Sequence, residues 1–161
     1  MTLRRGVYIN MYDKSVKDLV DHYIHVSFSV NKIAEGMVKE EIGSDLTNDQ
    51  HYTLRYINKV GSCTSSELAE VFDVKKSAIT AIITRLWEKG LILRTRDEND
   101  RRLVYLTLTD KGNELFQKTE ERIQALVESI ITRFDQDEII QFLKTYNKLN
   151  EILIERKSRV E

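Results

Sequence analysis

CTSSELAEVFDVKKSAITAIITRLWEKG, Cys63 to Gly90, continues as LILRTRDENDRRLVYLTLTDKG, Leu91 to Gly112, and the fold turns on these residues. Thr64 stands three positions before Glu67, so each side chain can satisfy the other's unpaired backbone N–H at a helix start. Leu68, Ala69 and Phe72 give that helix an apolar side, and Phe72-Asp73-Val74 reads as a turn. A second helix is predicted from about Lys75 to Lys89. Ile79, Ile82, Ile83 and Leu86 fall at i, i+3, i+4 and i+7, a stripe that faces a core. Ser77, Thr80, Ala81 and Thr84 repeat that spacing on the other face, with Lys75 and Lys76 at the N-terminal end and Arg85 further along.

Gly90 follows as a left-handed helix stop. Leu91 to Arg96 and Leu103 to Leu108 each alternate in the manner of strands. Between them the polar tip Asp97-Glu-Asn-Asp-Arg-Arg102 offers turn chemistry at Asn99-Asp100, whose side chains can bond their own backbone. Arg101 and Arg102 then project from the tip. Two short helices, a turn and a basic hairpin in this order suggest a helix-turn-helix with a wing. On that reading the outer face of the second helix lies in a major groove, its hydroxyls on base edges or phosphates and its lysines on the backbone. The wing arginines suit a narrow, electronegative minor groove. Taken singly, the same residues describe a solvated helix face and a solvated turn.

Leu68-Ala69, Val74, Ile79-Thr80, Leu86, Lys89-Gly90-Leu91, Arg94, Asp100-Arg101-Arg102 and Leu108-Thr-Asp-Lys-Gly112 together resemble the winged-helix signature of the MarR family of bacterial transcriptional regulators. The Asp-Arg-Arg wing followed by Leu-Thr-x-x-Gly is its most specific part, and the likeness covers Leu46 to Gly112. Lys75 stands where a capping Ser or Asp is common in such families, and Ala81 where a longer polar residue is frequent. The resemblance implies a homodimer with interlocked N- and C-terminal helices. It also implies a pairing of Arg102 with Asp100 that shapes the wing.

Charge is distributed accordingly. The chain of 161 residues has a net charge of −1, which argues against a generic polyanion binder. From Val74 to Leu106, however, eight basic side chains oppose four acidic ones, a net +4 that leaves the remainder at −5. The bases are Lys75, Lys76, Arg85, Lys89, Arg94, Arg96, Arg101 and Arg102, on the elements proposed to meet DNA.

The flanks read as helices. Proline is absent, which favours long uninterrupted runs. From Asp13 to about Glu41, Leu19, Tyr23, Val26, Val30, Ile33 and Met37 form a heptad-like seam. Thr47 with Gln50 suggests a capping box for a helix through Leu54 and Ile57. Thr109 caps a helix to about Arg133 with Ile123, Val127, Ile130 and Phe134 on one side. Asp135 with Glu138 opens a last one bearing Ile139, Phe142, Tyr146, Leu149 and Leu153. Residues 1–11 read as an arm, and 156–161 as a charged, frayed tail. The expected architecture is therefore mainly α with a small β-hairpin wing, in one MarR-like domain over residues 1–161. Its winged helix-turn-helix spans 46–112, and its dimerisation helices 12–41 and 113–156. Two subunits bury seams that one chain has too little surface to cover.

Other chemistries find little footing. His22 and His25 share a helix face and His51 opens the next helix, without a second close ligand set, so they read as structural or solvated and no metal is expected. Cys63 precedes a helix N-terminus, where a dipole can lower a thiol pKa. As a lone cysteine it excludes an intrachain disulfide framework. There is no phosphate-cradling glycine loop, nucleophile elbow or HExxH, so no catalytic residues and no cofactor are expected. No span is long and apolar enough for a membrane and no secretory signal is visible, so a cytoplasmic protein is expected.

The leading expectation is a sequence-specific DNA-binding regulator, a repressor released by a small-molecule effector. Tyr23, His25, Phe28, His51, Tyr52 and Tyr56 are the candidate lining of the effector cleft, though ordinary packing explains most of them. The alternative is a winged-helix interaction or dimerisation module without DNA binding.

Overall fold

The computed structural model describes residues 15–159, so the arm read at residues 1–11 lies outside them. Elements run α1 (Val16–Ile42), α2 (Asn48–Val60), β1 (Cys63–Thr64), α3 (Ser65–Val71), α4 (Lys76–Glu88), β2 (Ile92–Arg96), β3 (Val104–Leu108), α5 (Asp110–Ile131) and α6 (Gln136–Ser158). They divide into two compact units, the first ending at Asn48 and the second beginning at Asp49.

In the first unit, α1 opens on a capping box between Ser15 and Asp18. That box follows the same three-residue rule as Thr64 with Glu67, but the sequence reading passed over it. The helix stops at Gly43, whose φ of 71° suits a residue without Cβ. Leu19, Tyr23, Val26, Val30 and Ile33 are all exposed along α1, while Ile42 and Leu46 are buried.

The second unit has its core among α2, α3, α4, the sheet and the start of α5. Leu54, Ile57, Leu68, Ile79, Leu86, Leu91, Ile92 and Leu106 are almost wholly buried. In α4 the buried stripe is Ile79, Ile83 and Leu86, with Ile82 only partly covered. The sheet is three-stranded and antiparallel in the order β1-β3-β2. β1 was not foreseen: two residues, pairing Cys63 with Leu106 and Thr64 with Tyr105, are too few to show a period of two.

That strand also decides the surroundings of Cys63. Its thiol is buried, and burial first, then the Glu67 charge, push its pKa up to about 11. It is therefore a protonated core residue rather than an activated thiol. The tail reading is corrected. α6 continues through Arg156 and Lys157 to Ser158, two cations in a last turn being favoured by the helix dipole. Lys157 pairs with Asp73, the turn residue with φ of 53°.

His51, read as structural or solvated and also considered for the effector cleft, lies in this core at 0% exposure. Its ring stacks on Phe116 at 5.6 Å, and Nε2 sits 3.2 Å from Glu120 Oε2 without a well-aligned hydrogen bond. Glu120 is gripped by Arg55 at 2.6 and 2.7 Å. Burial lowers the His51 pKa, the Glu120 charge opposing and the Arg55 charge adding to the effect. The unfolded chain then takes up a proton near the ordinary 6.5, while the folded chain resists to lower pH. Stability from this group is complete above 6.5 and is lost as pH falls below it. We expect the urea midpoint to drop between about pH 7.5 and 5.5, and His51→Phe to flatten that drop. An equal slope in the variant would place the titration elsewhere.

Candidate nucleic-acid interface

α3 and α4 are joined by a tight turn in which Val74 N–H donates to Ala69 O at 3.0 Å. The left-handed backbone at Asp73, a residue type that tolerates it, makes this turn. α3 has the predicted cap: Thr64 Oγ1 accepts from Glu67 N–H and Glu67 Oε2 accepts from Thr64 N–H. The N-cap of α4 is Lys75, which makes no side-chain cap hydrogen bond. Lys75 and Lys76 are exposed there, at the positive end of the helix dipole.

Ser77, Thr80 and Ala81 form one exposed face of α4, with Thr84 half-buried in the same row and Arg85 exposed beside it. Thr80 Oγ1 donates to Lys76 O at 2.8 Å. Its only proton is committed, so what it presents outward is a pair of acceptor lobes and a methyl group. Thr84 Oγ1 accepts from Arg94 Nη2 at 3.2 Å, so Arg94 is tied to the helix rather than standing away from it.

β2 and β3 pair from Ile92 with Leu108 to Arg96 with Val104. Ile92, Arg94 and Arg96 share one face of β2. The two arginines, with Ser65, Thr80, Ile83, Val104 and Leu106, line an open groove of about 380 Å³ between α4 and the hairpin. Leu93 and Leu103 face outward, 52% and 41% exposed, so the hairpin's covered face is narrower than its composition suggests.

The tip is built by carboxylates. Asp97 Oδ1 accepts from the N–H of both Asn99 and Asp100 at 2.8 Å, a role the sequence reading gave to Asn99-Asp100. Asp100 Oδ1 accepts from Arg102 N–H at 3.0 Å and Nε at 3.1 Å. The Arg102 side chain, then its backbone N–H, hold the Asp100 carboxyl below the usual range. Arg102 is thus occupied in shaping the tip, though 91% of its side chain remains exposed. Arg101 is exposed and forms no ion pair among the described residues.

The end of the hairpin is locked back onto α4. Thr109 caps α5 by accepting from Gly112 N–H, and its hydroxyl donates to Gly90 O at 2.8 Å. Thr109 N–H donates to Leu91 O and Lys111 Nζ to Lys89 O. These bonds fix the base of the hairpin against the end of α4.

Of the residues considered for an effector, Tyr23, His25 and Phe28 are exposed on α1. On α2, Tyr52 is 45% exposed and in edge contact with His51, and Tyr56 meets Phe72 edge-on at 6.3 Å. Among the described residues there is no group of three metal-ligating side chains and no helix long and apolar enough to cross a membrane.

The sequence model described as MarR family matches residues 46–104. The chain is 30% identical over 139 residues to the uncharacterized HTH-type transcriptional regulator YwhA of Bacillus subtilis, covering 86% of this chain and 97% of that one. It is 34% identical over 110 residues to the HTH-type transcriptional repressor MdtR of the same organism, over 68% and 71% of the two chains. In fold it is similar to a mutant of MarR from E. coli complexed with operator DNA, with a TM-score of 0.72 at 23% identity, covering 84% and 99%.

Proposed function

The chain belongs to the MarR family of transcriptional regulators, and we propose that it is a repressor that binds a pseudo-palindromic operator as a homodimer and is released by a small-molecule effector. One observation carries the reading: an exposed, hydroxylated α4 face opens into an arginine-lined groove and continues to an exposed Arg101 at the tip. α4 enters the major groove with Lys76 to Thr84, with Arg85 beside that face, and Lys75, Lys76, Arg94 and Arg96 meet phosphates. Arg101 takes the flanking minor groove, and Asp100 with Arg102 holds the wing that carries it. The exposed seams of α1, α5 and α6, including Ile33, Val127, Phe142 and Leu153, are the surface that a second copy covers. Two-fold symmetry then sets half-sites about one helical turn, ~34 Å, apart. For the effector, candidate contacts lie separately on α1, at the exposed Tyr23, His25 and Phe28, and on α2, at Tyr52 and Tyr56. An effector acts by binding the DNA-competent and incompetent states with different affinity.

The test is selection of duplexes from a random pool by the full chain, followed by two variants on the selected site. Thr80, an acceptor, suits an exocyclic amino group of cytosine or adenine. Thr80→Val should relax preference at particular positions, losing ~1–3 kcal/mol on the best site and less on random DNA. Arg101→Ala should weaken all duplexes evenly and make the salt slope shallower by roughly one per contact removed. Failure of the wild-type chain to retard any duplex would instead favour the interaction module. A silent Thr80→Val with altered base preference in Arg101→Ala would reverse the two roles.

A further inference from the structure

Trp87 is the chain's single tryptophan, and it sits in the last turn of α4 with 52% of its surface exposed. One face of the indole is nevertheless occupied. The Arg94 guanidinium carbon lies 5.2 Å from the ring centroid, and the same guanidinium donates from Nη2 to Thr84 Oγ1 at 3.2 Å. Thr84 and Trp87 are i, i+3 neighbours on α4, while Arg94 comes from the strand across the groove. A stack on an aromatic face consumes none of an arginine's five N–H donors, and Thr84 takes one. Four donors and the full charge therefore remain for an outside ligand, on a side chain already held in place.

We propose that Trp87 is a positioning residue of the DNA interface: with Thr84 it holds the Arg94 guanidinium against the edge of α4, ready for a backbone phosphate at the rim of the groove that α4 enters. The inference rests on the regulator reading above. Arginine suits phosphate because its planar donors match the oxygens in pairs. Ordering it before binding removes a cost that a swinging side chain meets on the DNA. The position at the helix edge, on a strand rather than on the reading face, predicts a contact indifferent to sequence.

The experiment uses the full chain, with Trp87→Phe, Trp87→Leu, Arg94→Ala and the Trp87→Leu/Arg94→Ala double variant. Retardation is measured on selected and random duplexes across a salt series, and urea midpoints are recorded alongside. Arg94→Ala should weaken both duplexes on the order of tenfold and lower the salt slope. Trp87→Leu should approach that loss, Trp87→Phe should restore most of it, and the double variant should be no weaker than Arg94→Ala alone. In the free protein, Arg94→Ala should alter indole emission, since the cation leaves the ring.

Additive losses in the double variant, or wild-type binding by Trp87→Leu, overturn the proposal while leaving the regulator reading intact. A binding loss in Trp87→Leu that follows its urea midpoint, without rescue by phenylalanine, also overturns it in favour of simple packing. A wild-type chain that retards no duplex overturns both.

Discussion

Gly112→Ala should destabilise the chain at or beyond the top of the roughly 1–3 kcal/mol usual for overpacking, and Gly112→Val should leave little folded protein. A Cβ built at this position falls 1.9 Å from the Leu91 carbonyl oxygen and 2.8 Å from its carbon. The colliding atoms are backbone, so no rotamer change relieves them. Leu91 O also accepts the Thr109 N–H at 3.1 Å, so moving it breaks the clamp between hairpin and α4. Gly90 is the control from the same signature. Its added Cβ meets nothing within 4 Å, but its φ of +69° is left-handed. Gly90→Ala should therefore cost about 1–2 kcal/mol, from backbone strain alone. Urea midpoints of the two variants decide the matter. Equal losses would mean that the approach of α5 to Leu91 is not as close as drawn. Against a total stability of roughly 5–15 kcal/mol, the difference separates a weakened regulator from an unfolded one.

What the sequence disclosed and what it withheld divide along a physical line. Caps and stripes were legible at Thr64-Glu67, Thr109, Asp135-Glu138 and Ile79-Ile83-Leu86 because their partners lie three or four residues apart. The hairpin was legible because Ile92–Arg96 and Val104–Leu108 are neighbours in the chain. Associations that form only once the chain has folded were not. Cys63 joins Leu106 across the sheet, and Arg55 meets Glu120 65 residues away. Arg94 is expected from the sequence to meet phosphate, yet its attachment to Trp87 and Thr84 needs two elements to face each other. His51 shows the cost of reading type without place. Spacing leaves a histidine at the start of a helix open between structural, solvated and ligand-lining readings, and packing against Phe116 makes it core. The family resemblance compensated in part, since it brought the pairing of Arg102 with Asp100 that spacing alone leaves open.

That pairing bears on the largest effect expected in solution. Operator binding should fall by about 10³–10⁵-fold between roughly 50 and 200 mM salt, if about 6–10 phosphates are neutralised per dimer. Lys75, Lys76, Arg94, Arg96, Arg101 and Arg102 are the cations considered per subunit. Arg102 already faces Asp100 at 3.1 Å, so binding through it releases fewer DNA counterions for its charge. The other five in each subunit set the upper end of the range. Neutralising the wing carboxylate tests this directly. Asp100→Asn frees the Arg102 charge and leaves a weaker, neutral acceptor to shape the tip, so the salt slope should steepen while affinity for the selected operator drops. The slope of log affinity against log salt, taken on the same duplex for both proteins, is the measurement. A slope near zero in the wild type would remove these cations from the interface. An unchanged slope with unchanged affinity in Asp100→Asn would mean that the tip is neither shaped by this pair nor in contact with DNA.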